Sequence, residues 1–210
     1  MVTPSTPESV RTAGRRARHC RHTIYCPSLR WESIDRQGPR DRPDEIPTVE
    51  SLLRSAGVLE PTADGTDLRL AEGFAEAWHE RMDQMRGGDR ALRWLAASEG
   101  LDADALDVTE ADDRYVVAHG DETVGAWHSR AGFLAAIVAE PTIREWVDAA
   151  RLARLPDAPR EELAARLVMC LERCPTCDSA LAFEDRRDGE SGVALRCRGC
   201  GATVAVSSIA

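Results

Sequence analysis

Two Cys-x-x-Cys pairs stand near the C-terminal end, Cys174-Pro175-Thr176-Cys177 and Cys197-Arg198-Gly199-Cys200, with nineteen residues between Cys177 and Cys197. Nothing else in the chain limits its fold so strongly. A turn of this kind aims two sulfurs at one point, and two such turns at the ends of a hairpin complete a tetrahedron. Zn²⁺ favours four ligands in that geometry and binds thiolates at about 2.3 Å. The predicted metal ligands are Cys174, Cys177, Cys197 and Cys200, holding one structural zinc ion. Four sulfurs close the shell and leave no position for a reactive water, so catalytic zinc is not expected. Disulfides or a redox-active Cys-x-x-Cys would use the same residues. Disulfides need an oxidising compartment, and a redox motif needs only one pair beside a βαβ pattern.

The flanks of the cysteines read as a small antiparallel ribbon. Ala180–Phe183 and Val193–Arg196 are strand candidates joined by a turn at Asp188-Gly189-Glu190-Ser191-Gly192. Ala202–Ser207 is a third strand, with Thr203, Val204 and Val206 favouring extended backbone. Gly201 follows the second knuckle, where the chain needs positive φ, and Asp178 takes the equivalent place in the first. These residues resemble the zinc-ribbon family, whose knuckles read Cys-Pro-x-Cys-Gly and Cys-x-x-Cys-Gly. The resemblance spans about residues 173–208, and Asp178 is its one departure. It implies a three-stranded ribbon, a module found in many transcription and translation proteins.

Upstream, residues 48–172 read as a mostly helical body. Thr48 or Ser51 caps a short helix that Gly57 ends, and Asp64-Gly65 marks a hairpin between apolar runs. Leu70, Phe74, Trp78, Met82 and Met85 form one helical stripe, which predicts a helix over Leu70–Arg86. Asp89 and Gly100 bound a second helix, Arg90–Glu99. Trp78, His79 and Trp94 are read as core rather than as a ligand box, because aromatics at helical spacing pack. A β-hairpin is expected at 114–127. Ser129 caps a helix over Ala131–Glu140, and Pro141 opens another over Thr142–Leu155. After a connector at Pro156-Asp157-Ala158-Pro159, a helix over Arg160–Arg173 is predicted to run straight into Cys174; Cys170, four residues before Cys174, then shares its helical face and is read as a core cysteine rather than a spare ligand. The expected fold class is α+β: a mostly helical body with a small hairpin, plus a C-terminal three-stranded zinc ribbon.

Residues 1–47 differ in kind. They hold nine arginines against six acids, and their Pro, Arg and Thr content cannot bury a core, so a disordered basic arm is expected. An upstream extension from a misplaced start codon reads the same way. His19, Cys20, His22 and Cys26 lie close together there without a paired knuckle, a compositional hint only. The N-terminal arginines are not followed by an apolar h-region. No uncharged run reaches the roughly 18 residues of a membrane span. A cytoplasmic protein with reduced thiols is expected.

Charge bears on partners. The chain has no lysine, so all 27 basic residues are arginine, and 36 acids bring the net charge to −9. Acid-rich, lysine-free sequences resemble those of halophilic archaea, and the likeness extends to zinc-ribbon proteins of such organisms. A GC-rich genome favouring arginine codons gives the same composition. From Arg173 onward five arginines meet five acids, so the ribbon lacks the basic footprint of a nucleic-acid binder. The chain holds no GxSxG, P-loop, HExxH or GxGxxG after a strand. The function expected is non-enzymatic: an interaction or regulatory module, with protein as its partner. The alternative is a transcription-related nucleic-acid binder, and lower still an enzyme whose site is assembled from distant residues.

Overall fold

The computed structural model describes residues 26–27, 48–111, 114–155, 157–185 and 192–208. The arm at 1–47, apart from Cys26–Pro27 (β1), and with it His19, Cys20 and His22, lies outside the described residues, as does most of the predicted turn at 188–192. Within them the fold is α+β, with six α-helices, a two-stranded hairpin, a three-stranded meander and a ribbon sheet. No helix among the described residues is long and apolar enough to cross a membrane.

The first helix, α1 (Val49–Ser55), starts where Thr48 Oγ1 accepts the Ser51 amide at 3.1 Å, so that of the two candidate caps Thr48 is the one used. Strands β2 (Leu59–Pro61) and β3 (Leu68–Leu70) pair across the Asp64-Gly65 turn. Asp64 organises that turn by accepting from the Thr62 hydroxyl at 2.6 Å and the Thr66 hydroxyl at 2.7 Å. These bonds favour the carboxylate and hold its pKa at about 2. Helices α2 (Glu72–Arg86) and α3 (Arg90–Glu99) follow, and Phe74, Trp78 and Met82 of the α2 stripe are fully buried.

The hairpin expected at 114–127 forms as β5 (Arg114–His119) and β6 (Glu122–Trp127). A strand not anticipated, β4 (Leu106–Ala111), joins it on the β5 side. β4 is an edge strand exposed along nearly its whole length, and its apolar alternation ends after Leu106 and Val108, too short a run to mark a strand.

The centre of the molecule is α4 (Arg130–Trp146), with ten buried residues. Two shorter helices were expected here, broken at Pro141. Instead the helix continues through Pro141. An internal proline costs about 3 kcal/mol. Here Ile137, Val138 and Ile143 are buried on both sides of it, and the Thr142 hydroxyl donates to the Val138 carbonyl at 2.6 Å. Tertiary burial outweighs the local break. Trp78 Nε1 donates to the Ala135 carbonyl at 3.3 Å, fastening α2 to α4. Phe133 of α4 stacks on Tyr115 at 5.0 Å and meets Trp127 edge-on at 4.8 Å, fastening the meander to the same helix.

Two further helices, α5 (Ala149–Ala153) and α6 (Asp157–Val168), lead to the ribbon. The helix predicted to reach Cys174 ends at Val168, and residues 169–173 form a turn and an extended approach to the knuckle. Cys170 therefore does not share a helical face with Cys174. The ribbon strands are β7 (Leu181–Asp185), β8 (Gly192–Cys197) and β9 (Thr203–Ser208), all antiparallel. β1 adds a short parallel edge to β9, which gives the sheet order β1-β9-β8-β7. One continuous buried cluster runs from Leu52 through Phe74, Trp78 and Phe133 to Cys174, Leu195, Cys197 and Val204. The ribbon and the helical body thus share a core.

Candidate metal centre

The two knuckles are built alike. In the first, the Asp178 amide donates to the Cys174 carbonyl at 3.0 Å, and the Cys174 amide donates to the Ser179 carbonyl at 2.9 Å. In the second, the Gly201 amide donates to the Cys197 carbonyl at 3.0 Å, and the Cys197 amide to the Ala202 carbonyl at 2.9 Å. Each turn exits through a left-handed residue, Asp178 at φ 60° and Gly201 at φ 74°. The backbone repeats one conformation at both ends of the site, so the sulfurs of both turns converge.

All four sulfurs, of Cys174, Cys177, Cys197 and Cys200, lie within 4.8 Å of one another. Cys174 Sγ is 3.8 Å from Cys200 Sγ, and Cys177 Sγ is 3.4 Å from Cys197 Sγ. A tetrahedron with metal–sulfur bonds of about 2.3 Å places its sulfurs about 3.8 Å apart. A disulfide would bring them to about 2.05 Å. The four cysteines are free thiols positioned to hold one metal ion. Cys170, the fifth cysteine in this region, stands apart with its Sγ 3.7 Å from the Arg166 carbonyl.

The site is asymmetric in its exposure. Cys174 and Cys197 are buried against the body, while Cys177 and Cys200 face outward. Burial pushes the Cys174 thiol up to about 12. Hydrogen bonds from the Ser179 hydroxyl and amide bring the exposed Cys177 down to about 6. The Thr176 hydroxyl lies 3.2 Å from Cys174 Sγ and 3.7 Å from Cys200 Sγ, and the Gly199 and Cys200 amides point at Cys197 Sγ from 3.3 and 3.4 Å. The Thr176 hydroxyl works against the rise at Cys174 without cancelling it. An ion entering here displaces the proton that Cys174 otherwise keeps.

The helical body grips this site at several places. Arg86, the last residue of α2, donates to both carboxylate oxygens of Asp178, at 2.7 and 2.5 Å, and through Nε to the Pro175 carbonyl at 2.6 Å. This pair holds the Asp178 carboxyl below its ordinary range. The buried His79 ring lies 3.4 Å from the Arg173 carbonyl, just before the first knuckle. The Ser129 hydroxyl donates to the Thr203 carbonyl of β9 at 2.6 Å while also capping α4. At Gly132 the backbones of α4 and β9 touch: a Cβ there would sit 2.5 Å from the Val204 carbonyl oxygen. Sequence reasoning missed Arg86. The one clue to it was Asp178 in the place of a glycine, and that clue does not name a partner.

A family model described as "Family of unknown function (DUF8054) central domain" matches residues 48–168. The chain belongs to this family. The DUF8054 central domain takes in α1 to α6, and the four-cysteine cluster lies C-terminal to it. No curated protein and no solved structure matches the chain.

Proposed function

We propose that this protein is a non-enzymatic zinc-binding module whose C-terminal ribbon serves protein interaction or regulation. The convergence of four sulfurs within 4.8 Å carries the reading. Zinc is the metal favoured by a tetrahedral set of soft thiolates, and a closed shell of four assigns it a structural part. A protein partner is supported by the ribbon's outer strand. β7 ends the sheet, and Phe183 on it is 60 % exposed. Among the described residues its outer edge is bonded only at Leu181, to the Glu172 carbonyl, and an unpaired edge beside a large apolar side chain is a surface that other chains pair with. Arg196 is drawn toward Glu184 at 3.8 Å and donates to the Gly201 carbonyl, which spends its charge within the ribbon rather than on phosphate. The acid excess and the absence of lysine suit a salt-rich cytoplasm of the halophilic archaeal kind.

Elemental analysis of protein purified under reducing conditions tests this proposal. One zinc per chain is expected, and its removal by a strong chelator should unfold the ribbon, because structural zinc in small peptides contributes on the order of 10 kcal/mol to folding. Protein that binds no zinc when zinc is supplied overturns the reading.

A further inference from the structure

The first knuckle carries two apparent liabilities. Asp178 occupies a left-handed backbone conformation at φ 60°, the only non-glycine residue with positive φ among those described. A side chain with a Cβ is strained there, and Asp tolerates the strain only better than most. Asp178 also places a carboxylate one residue from Cys177, beside four thiolates that keep a net charge of about −2 on a divalent ion. Glycine would avoid both the strain and the repulsion.

Arg86 turns both features to use. Its guanidinium meets Asp178 as a two-pronged fork and reaches the Pro175 carbonyl with its third edge. It therefore holds the knuckle at its second residue and at its exit, on either side of Cys177. Its cation offsets the Asp178 charge next to the thiolates. Arg86 is itself held in place: Asp83 pairs with it at 2.9 Å, and its backbone carbonyl accepts from Arg130 Nη2 at 2.6 Å. The contact spans 92 residues and joins the end of α2 to the metal site.

We propose that Arg86 is a positioning residue for the metal site, and that its clamp on Asp178 and Pro175 sets how tightly zinc is held and couples the site to the helical body. This rests on reading the four thiolates as a zinc site. Groups that orient metal ligands from outside the coordination shell typically change affinity by about 10–100-fold when removed. Only arginine offers the planar fork, so lysine at this position keeps the charge and loses the geometry.

The test is zinc affinity by competition with a chromogenic chelator, on the full chain, for wild type, Arg86→Gln, Arg86→Lys, Asp178→Gly and the Arg86→Gln/Asp178→Gly pair. Circular dichroism of each zinc-loaded variant checks that the body stays folded. Arg86→Gln should lower affinity by about 10–100-fold, and Arg86→Lys should recover only part of the loss. Asp178→Gly should weaken binding when Arg86 is present and strengthen it when Arg86 is Gln, since strain and repulsion are then all that Asp178 contributes. A residue with only a general structural part would leave the effect of Asp178→Gly the same in both backgrounds, and that result overturns the proposal. So does an Arg86→Gln affinity within twofold of wild type in a protein that holds one zinc. A wild type that binds no zinc removes the zinc reading and this proposal together.

Discussion

Replacing Gly132 with alanine should destabilise this protein, against the ordinary expectation for a helix. Gly132 lies in the first turn of α4, and exchanging Gly for Ala within a helix usually gains up to about 1 kcal/mol. Here the added Cβ would sit 2.5 Å from the Val204 carbonyl oxygen. Carbon and carbonyl oxygen in ordinary contact stay about 3.3 Å apart, so α4 and β9 must separate by roughly 0.8 Å. β9 has little room to retreat, because β1 and β8 flank it and the Ser129 hydroxyl holds its Thr203 carbonyl. Overpacking of this size costs about 1–3 kcal/mol. Net of a propensity gain of about 1 kcal/mol, a loss of up to about 2 kcal/mol is expected. Gly73→Ala is the control. Its Cβ would meet only the far edge of the Trp146 side chain, at 3.2 Å, which a shift of a few tenths of an ångström relieves. Urea denaturation of zinc-loaded protein measures both variants. A Gly132→Ala protein more stable than wild type by the roughly 1 kcal/mol that an unobstructed helix site gains would refute the docking of ribbon on body described above.

Cys174→Ser should abolish stoichiometric zinc, whereas Cys170→Ser should leave metal content unchanged, since Cys170 lies outside the sulfur cluster; elemental analysis reads both. Asp64 should stabilise the β2–β3 turn in a pH-dependent way. Its folded pKa is about 2, below the ordinary 3.8, so its contribution is complete above about pH 4 and fades as pH falls towards 2. Stability of Asp64→Asn measured against wild type across that range should show the wild-type advantage shrinking with acid, and an advantage that grows would contradict the assignment.

Several parts of this protein are encoded within a few residues of where they act. The knuckle hydrogen bonds run from residue i to i+4 or i+5, so Cys-x-x-Cys spacing and a left-handed exit residue are enough to shape each turn. The Thr48 cap, the α2 stripe from Phe74 onward and the Asp64-Gly65 turn are local in the same sense and legible in the sequence, whereas Leu70, counted in the stripe, belongs to β3. The failures share a different character. Pro141 signals a break by its own chemistry, and only burial of Ile137, Val138 and Ile143 on both sides carries the helix through it. β4 lies on an outer edge, and the alternation of Leu106 and Val108 is too short by itself to mark it as a strand. The helix before the ribbon stops at Val168, although its apolar pattern continues through Leu171, where the chain turns into the shared core instead. Asp178 looked like a flaw in a familiar motif until the fold placed Arg86 against it. Local turn chemistry decided where a metal would sit. Which residues surround that site, and how the helical body holds it, depended on groups up to 94 residues apart, whose free energy of contact exists only once the chain has closed on itself.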